Sequence, residues 1–396
     1  MIDERNAVTD CSPDALMMSG SRVRGCVLGG ALGDALGAPI EFSSLDSIRR
    51  RYGPAGISGL VPDRRGEVGL VTDDTQMTVF TLEGILRAHV RMTNKGICHL
   101  PSVVRFAYLR WLDTQRHDTP PPGGGAEYVF RTGRLRDQRW LYAQRAPGTS
   151  CLSGLHAEPG RAAPFGEPGP VNPGSKGCGT VMRSAPFGLG AGSARRAFET
   201  AAECAQITHG HPTGYLAAGA FAALIHFLAH GVPLREAVTD MLEILGDYPA
   251  HEETSKALLA AITLADSGDP TPEKVETLGG AWVAEEALAI AVYCALVEQA
   301  PSPARGGGLD LYPGLTPFQQ ALLLAVNHSG DSDSTGAICG NILGTLYGDV
   351  ALPGEWLIHL EGRATLTELA DDFVIQMTDG GAACHSAAWQ AKYPGS

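Results

Sequence analysis

Two short stretches, far apart along the chain, carry residue types that could do chemistry: Thr72-Asp73-Asp74 and Asp331-Ser332-Asp333-Ser334. Each combines carboxylates with hydroxyls. Magnesium, manganese and calcium favour such oxygen donors, whereas zinc favours Cys and His. Taken singly, either stretch also suits a helix N-cap, which needs a short oxygen-bearing side chain ahead of an apolar-periodic run. Together they supply four carboxylates and several hydroxyls, more negative charge than capping requires. Brought to one place they would sum to roughly −4, intolerable when buried unless about two divalent cations are present, because like charges otherwise protonate. Two such cations can orient vicinal hydroxyls or a water and stabilise developing charge. Glu41 is a further carboxylate available for proton transfer. The residue types alone point to an oxygen-ligated di-metal hydrolase of unspecified substrate.

The elements that must position these groups are unusual helices. From Asn327 to Gly348 the acidic turn runs into Ile338, Ile342 and Leu346 at i, i+4 spacing, with glycines at 336, 340, 344 and 348. A second stripe occurs at glycines 25, 29, 33 and 37, and Pro39 ends that run just ahead of Glu41. Each interior Gly costs a helix about 1 kcal/mol relative to Ala. The usual return is close backbone contact, and mutual packing is the simplest use of two such stripes. A third helix is predicted after Asp74, with Met77, Phe80, Leu82, Ile85 and Leu86 at helical spacing.

The 396 residues are 44% hydrophobic and 18% charged, enough to bury a sizeable core. A net charge of −13 offers no basic stripe for a nucleic-acid backbone. An anionic ligand must therefore be met locally by metal, backbone amides or helix N-termini. Nine cysteines without a CxxC pair disfavour a disulfide framework and a zinc site. The polar, acidic N-terminus does not read as a signal peptide, and the apolar stretch Tyr215–Leu228 falls short of a bilayer span. A reducing cytoplasm is the expected location, with no membrane partner.

Along the chain, residues 1–20 read as a loose arm and 21–396 as one domain, interrupted by a Pro/Gly-rich insertion around 119–174. Within it, RAPGTSCLSGL from Arg145 predicts a short ordered element. The following GSKGCGTVMR offers backbone amides for a phosphate, or an ordinary tight turn. His209 and His211 lie in THGHP, where hydrogen bonding is the plainer role than metal binding. Pro212 is expected to stop the preceding helix. Pro270-Thr271-Pro272-Glu273 is a helix start, and Thr365 and Glu368 stand at capping-box spacing. Apolar, Ala-rich runs at Tyr215–Leu228 and Ala284–Val297 should form the core. With few alternating strands anywhere, the expected fold is all-α.

The blocks GALGDALGAPIEF, TDDT, GSKGCGTVMR, THGHP, GGAWVAEEALAIAVYCAL and GDSDSTGAICGN, in this order, strongly resemble the ADP-ribosylglycohydrolase family, of the dinitrogenase-reductase-activating and ADP-ribosylarginine hydrolase type. The resemblance runs from about Arg24 to about Met377. It implies an orthogonal multi-helix bundle with a binuclear Mg2+ or Mn2+ centre that removes ADP-ribose from modified side chains or related conjugates. By that resemblance Thr72, Asp73, Asp74, Asp331, Asp333 and Ser334 are metal ligands, Ser standing where the family often has Thr. Ser175, Gly177 and Gly179 match positions that cradle the diphosphate, and His209 a histidine near the distal ribose or phosphate. Cys178 and Lys176 depart from an asparagine and an aromatic residue seen there in some members. The implied mechanism holds the 2′ and 3′ hydroxyls of the distal ribose at the metal pair. A carboxylate, Glu41 or Asp331, then activates water for attack through an oxocarbenium-like state. Asp113 and Asp118 lie near where some members place a proton-transferring loop aspartate, though two solvated acids is the plainer account. The expected substrate is an ADP-ribosylated protein, most simply at arginine; serine-linked or O-acetyl ADP-ribose is the near alternative. A non-catalytic binding protein, or an immunity protein against a toxin partner, is the alternative of another class.

Overall fold

The computed structural model describes residues 13–123, 128–299 and 311–395. Among these no strand occurs; a lone antiparallel bridge joins Gly177 to Val283. The expected all-α architecture is the one found. The helices are α1 Pro13–Gly37, α2 Leu45–Tyr52, α3 Asp73–Lys95, α4 Leu100–Arg116, α5 Thr149–His156 and α6 Ala185–Gly190. They continue with α7 Ala194–Ala205, α8 Pro212–Ala229, α9 Leu234–Gly246, α10 Glu252–Ala265, α11 Pro272–Glu276 and α12 Ala284–Glu298. The chain closes with α13 Pro317–Val326, α14 Ser332–Tyr347, α15 Gly354–Leu357, α16 Arg363–Thr378 and α17 Ala387–Lys392.

The two glycine stripes pack on each other. A Cβ added at Gly33 would collide with the Gly336 carbonyl, one at Gly29 with that of Gly340, and one at Gly25 with that of Gly344. Gly37 meets the Ser332 backbone in the same register. The paired numbers run in opposite directions, so α1 and α14 are antiparallel and their backbones touch along four turns. The Asn341 side chain donates to the Cys26 carbonyl at 2.8 Å across this contact. Antiparallel packing sets the end of α1, and Glu41 just beyond it, beside the acidic start of α14.

Around this pair, α8 and α12 form the apolar centre, as their composition predicts; all their alanines but the terminal Ala229 are buried. By length and composition α8 could cross a membrane, yet 89% of it is buried inside the bundle. The cysteines at 26, 294 and 339 are free and buried, acting as small core residues.

Several local expectations need correction. Helix α1 begins at Pro13, inside the segment expected to be a loose arm, while residues 1–12 lie outside the described residues. Pro212 starts α8 rather than stopping α7, and His211 is its N-cap. The capping box at Thr365 and Glu368 does not form, because α16 starts earlier, at Arg363, behind Gly362 in a left-handed conformation. Thr365 instead bonds Gln138 at 3.0 Å, and Glu368 takes Lys392 at 2.6 Å. Tertiary partners outcompeted the local cap. The helix start at Pro272 does form, with Thr271 as N-cap.

The glycine contact gives a stability test. Gly33→Ala should cost at least about 3 kcal/mol, since backbone rather than a flexible side chain must yield. Gly246→Ala, in a helix with open space around it, should be neutral or stabilise by up to about 1 kcal/mol. Urea denaturation of both variants checks the contrast.

Candidate metal centre

Three helix ends meet at the acidic stretches. Helix α3 starts at Asp73 with Thr72 as N-cap, its hydroxyl accepting the Asp74 amide at 3.4 Å. Helix α14 starts at Ser332 with Asp331 as N-cap, accepting the Ser334 amide at 3.4 Å. The third contributor is Asp34 of α1, next to Gly33 of the stripe. Its carboxylate accepts the Thr72 amide at 3.0 Å, the Thr75 amide at 3.1 Å and the Thr75 hydroxyl at 2.5 Å. Asp34 therefore ties the start of α3 to the α1–α14 pair. Sequence reasoning missed it. The available signal was a single carboxylate inside an otherwise apolar, glycine-striped run.

Oxygens of Glu41, Asp331 and Asp333 all lie within 4.8 Å of one another. Asp333 also acts directly on Asp73 and Asp74, so the two distant stretches do converge. All six carboxylates are buried. Burial first, and Asp333 next, push Asp34 up to about 7 and Glu41 up to about 10. Burial and neighbouring carboxylates hold Asp73, Asp74 and Asp333 well above the usual carboxylate range, and burial raises Asp331. One oxygen of Asp74 is buried with no hydrogen-bond partner. An all-oxygen donor set, uncompensated charge and an orphaned acceptor fit a hard divalent cation. Thr72 lies beside Asp333, and Ser334 is buried with its amide on Asp333 at 3.0 Å.

The glycine loop reaches the same place. The Cys178 thiol donates to Asp331 at 2.8 Å, and burial together with Asp331 pushes it well up, so it stays a donor. The Ser175 hydroxyl meets that of Ser150 in α5 at 2.7 Å. A Cβ on Gly177 would stand 3.2 Å from His209 Nε2, and one on Gly179 3.3 Å from its Cε1, so His209 faces both glycines. The Thr208 hydroxyl accepts Arg183 at 2.7 Å and meets His209 Nδ1 at 2.8 Å. Among the described residues that hydroxyl has no other acceptor, so its proton goes to Nδ1 and the imidazole carries its own on Nε2. Burial drops His209 to about 3, leaving a neutral donor aimed at the loop. Lys176 turns away to Glu285 and Glu253, 2.5 Å from the latter.

The insertion closes over the cluster. Arg145 binds the Val71 carbonyl and Glu361, and the Gly148 amide donates to Asp73 at 3.3 Å. Asp113 is not a solvated acid: it is buried and gripped by Arg131 at 2.7 and 2.9 Å. Asp118 is exposed.

The sequence profile of the ADP-ribosylglycohydrolases matches residues 15–383. The chain belongs to that family. The ADP-ribosylhydrolase ARH3 of Mus musculus is 27% identical over 366 residues, 86% of this chain and 88% of its own. The ADP-ribosyl-(dinitrogen reductase) glycohydrolase of Rhodospirillum rubrum is 25% identical, covering 86% of this chain and 90% of its own. The ADP-ribosylarginine hydrolase Tri1 of Serratia proteamaculans is 22% identical, covering 88% and 78%. A solved structure titled ADP-ribosylglycohydrolase-related protein complex shares the fold, with TM-score 0.58 and 23% identity over 91% of this chain and all of that chain. The chain is thus a glycohydrolase enzyme acting on ADP-ribose conjugates.

Two outcomes follow for this glycohydrolase. In chelator, Asp34 and Glu41 titrate higher in the folded than in the unfolded chain, so the fold holds extra protons above the ordinary carboxylate range. Its stability should fall as pH rises from about 5 through 7 and beyond, and a divalent cation should flatten that slope, read by urea midpoints. Asp34→Asn should weaken cation binding by about 10- to 100-fold in calorimetry, because it loosens the Thr72 end of α3.

Proposed function

We propose that this enzyme hydrolyses the N-glycosidic bond of ADP-ribosylarginine on a protein, in a reducing cytoplasm. The observation that carries the reading is the convergence of Glu41, Asp331 and Asp333 on one point beside Asp73 and Asp74. Thr72, Asp73, Asp74, Asp331, Asp333 and Ser334 would hold two divalent cations, Mg2+ or Mn2+. When bound, these supply Lewis-acid stabilisation of charge on the distal ribose hydroxyls and let the carboxylates remain ionised.

The chain's own groups do the rest. The loop at Ser175, Gly177 and Gly179 would receive the diphosphate, with His209 Nε2–H donating to it. Glu41 is the better general base of the two candidates. Both Asp331 oxygens are already engaged, one by Cys178 and one by the Ser334 amide. Among the described residues, no hydrogen bond engages the Glu41 carboxylate, which leaves it available to take a proton from the attacking water as the glycosidic bond breaks. The glycosidic nitrogen takes the bonding pair as C1′ gains the water oxygen, and the guanidine leaves as a guanidinium with the proton that Glu41 took from the water. An acidic pocket favours that cationic leaving group over a neutral serine hydroxyl, and free cysteines throughout the described chain suit a reducing compartment.

Purified enzyme should release ADP-ribose from an arginine-modified protein, lose the activity in chelator and regain it with Mg2+ or Mn2+. Glu41→Gln should lower kcat by about 100-fold or more. Release from serine-linked or O-acetyl ADP-ribose alone contradicts the arginine assignment.

A further inference from the structure

Phe42 and Trp282 are large apolar side chains left open to solvent, 75% and 47% exposed. Their rings stack with centroids 5.7 Å apart and an interplanar angle of 18°. Both are anchored at the acidic cluster. Phe42 follows Glu41 directly, and the Leu45 amide fixes its segment to Ser329 at 2.8 Å, two residues before Asp331. Trp282 belongs to the turn whose Gly280 carbonyl accepts the Asp331 amide at 3.0 Å. Its own carbonyl accepts the Cys178 amide at 3.3 Å. The ring pair therefore links the Glu41 segment to the wall that carries the glycine loop, at the edge of the cluster.

Leaving such a pair uncovered forfeits burial that apolar side chains otherwise gain. The groups around it are acidic: Glu41, Asp331 and Asp333, with Glu276 accepting the Ser329 amide at 2.9 Å. A surface of aromatic faces beside carboxylates complements a flat cation, and a guanidinium stacks on such rings while its charge meets the acids. ADP-ribose itself has an anionic diphosphate and a neutral base. In an arginine conjugate the guanidinium is the flat cation. The geometry points to Phe42 and Trp282 as the specificity platform on which the guanidinium of the modified arginine lies while its ribose occupies the acidic cluster. The assignment rests on the arginine reading above.

The test uses the full-length, Mg2+-loaded enzyme and the variants Phe42→Ala, Trp282→Ala, Trp282→Leu and Trp282→Phe. Steady-state kinetics on arginine- and serine-linked conjugates are read beside calorimetric binding of free ADP-ribose. The Ala and Leu variants should lose about three- to thirtyfold in kcat/KM for the arginine conjugate, mainly through KM. Trp282→Phe should stay within about twofold, because it keeps a ring. Affinity for free ADP-ribose should not change in any of them. Trp282→Leu retains apolar volume without a ring, so it remains readable should the alanine variants not fold. Parallel loss of ADP-ribose affinity would assign the rings to the nucleotide and overturn the platform, as would unchanged arginine kinetics. Wild-type enzyme inactive on arginine overturns the arginine reading and the platform with it; active wild type with indifferent variants overturns the platform alone.

Discussion

Backbone contact between α1 and α14 is the constraint on which the rest of the molecule depends. Side chains normally hold helix axes 8–10 Å apart; glycines at every fourth position remove that spacer on both partners. Each carbonyl at the contact occupies space a Cβ would need, so the register admits no slip. The arrangement is antiparallel, which brings the end of one helix to the start of the other. It also places Asp34, adjacent to Gly33, where its carboxylate reaches the first turn of α3. Asp34 is thereby tied to partners 38 and 41 residues on and, through the glycines, to the start of α14 at Ser332 near the other end of the chain.

The same constraint concentrates charge. Six buried carboxylates stand together; burial drives all six toward protonation, and repulsion from neighbouring carboxylates adds to it at Asp34, Glu41, Asp73, Asp74 and Asp333. The N-termini of α3 and α14 point partial positive charge into the cluster: at α3 the Thr72 and Thr75 amides donate to Asp34, and at α14 the Ser334 amide donates to Asp331 and Asp333. Two helix ends of roughly half a charge each do not balance six acids. Protons can offset the remainder, but then the carboxylates are lost as bases and ligands. Divalent cations would offset it while leaving them ionised, and would so couple stability, metal binding and catalysis in this fold.

Much of this was legible in the sequence where local pattern and three-dimensional role coincide. The glycine stripes, the two acidic stretches as helix starts, and the Ala-rich core helices all read directly, because period and cap chemistry act within a few residues; that Thr72 and Asp331 are the capping residues comes from the structure. Asp34 did not, since its partners lie 38 and 41 residues away and its own neighbourhood is apolar. The pattern at Thr365 and Glu368 misled because Gln138 and Lys392, invisible to a local argument, offered better partners. Asp113 resembled a surface acid until the insertion delivered Arg131 to it. The family blocks led to the loop residues Ser175, Gly177 and Gly179, yet only the structure shows Cys178 joining that loop to Asp331.

The most direct test of the central claim is anomalous diffraction from crystals of the enzyme equilibrated with Mn2+. The account predicts two anomalous peaks inside the cluster, bounded by Asp73 and Asp74 on one side and Asp331 and Asp333 on the other. Manganese bound elsewhere, with this cluster left without a peak, would contradict it.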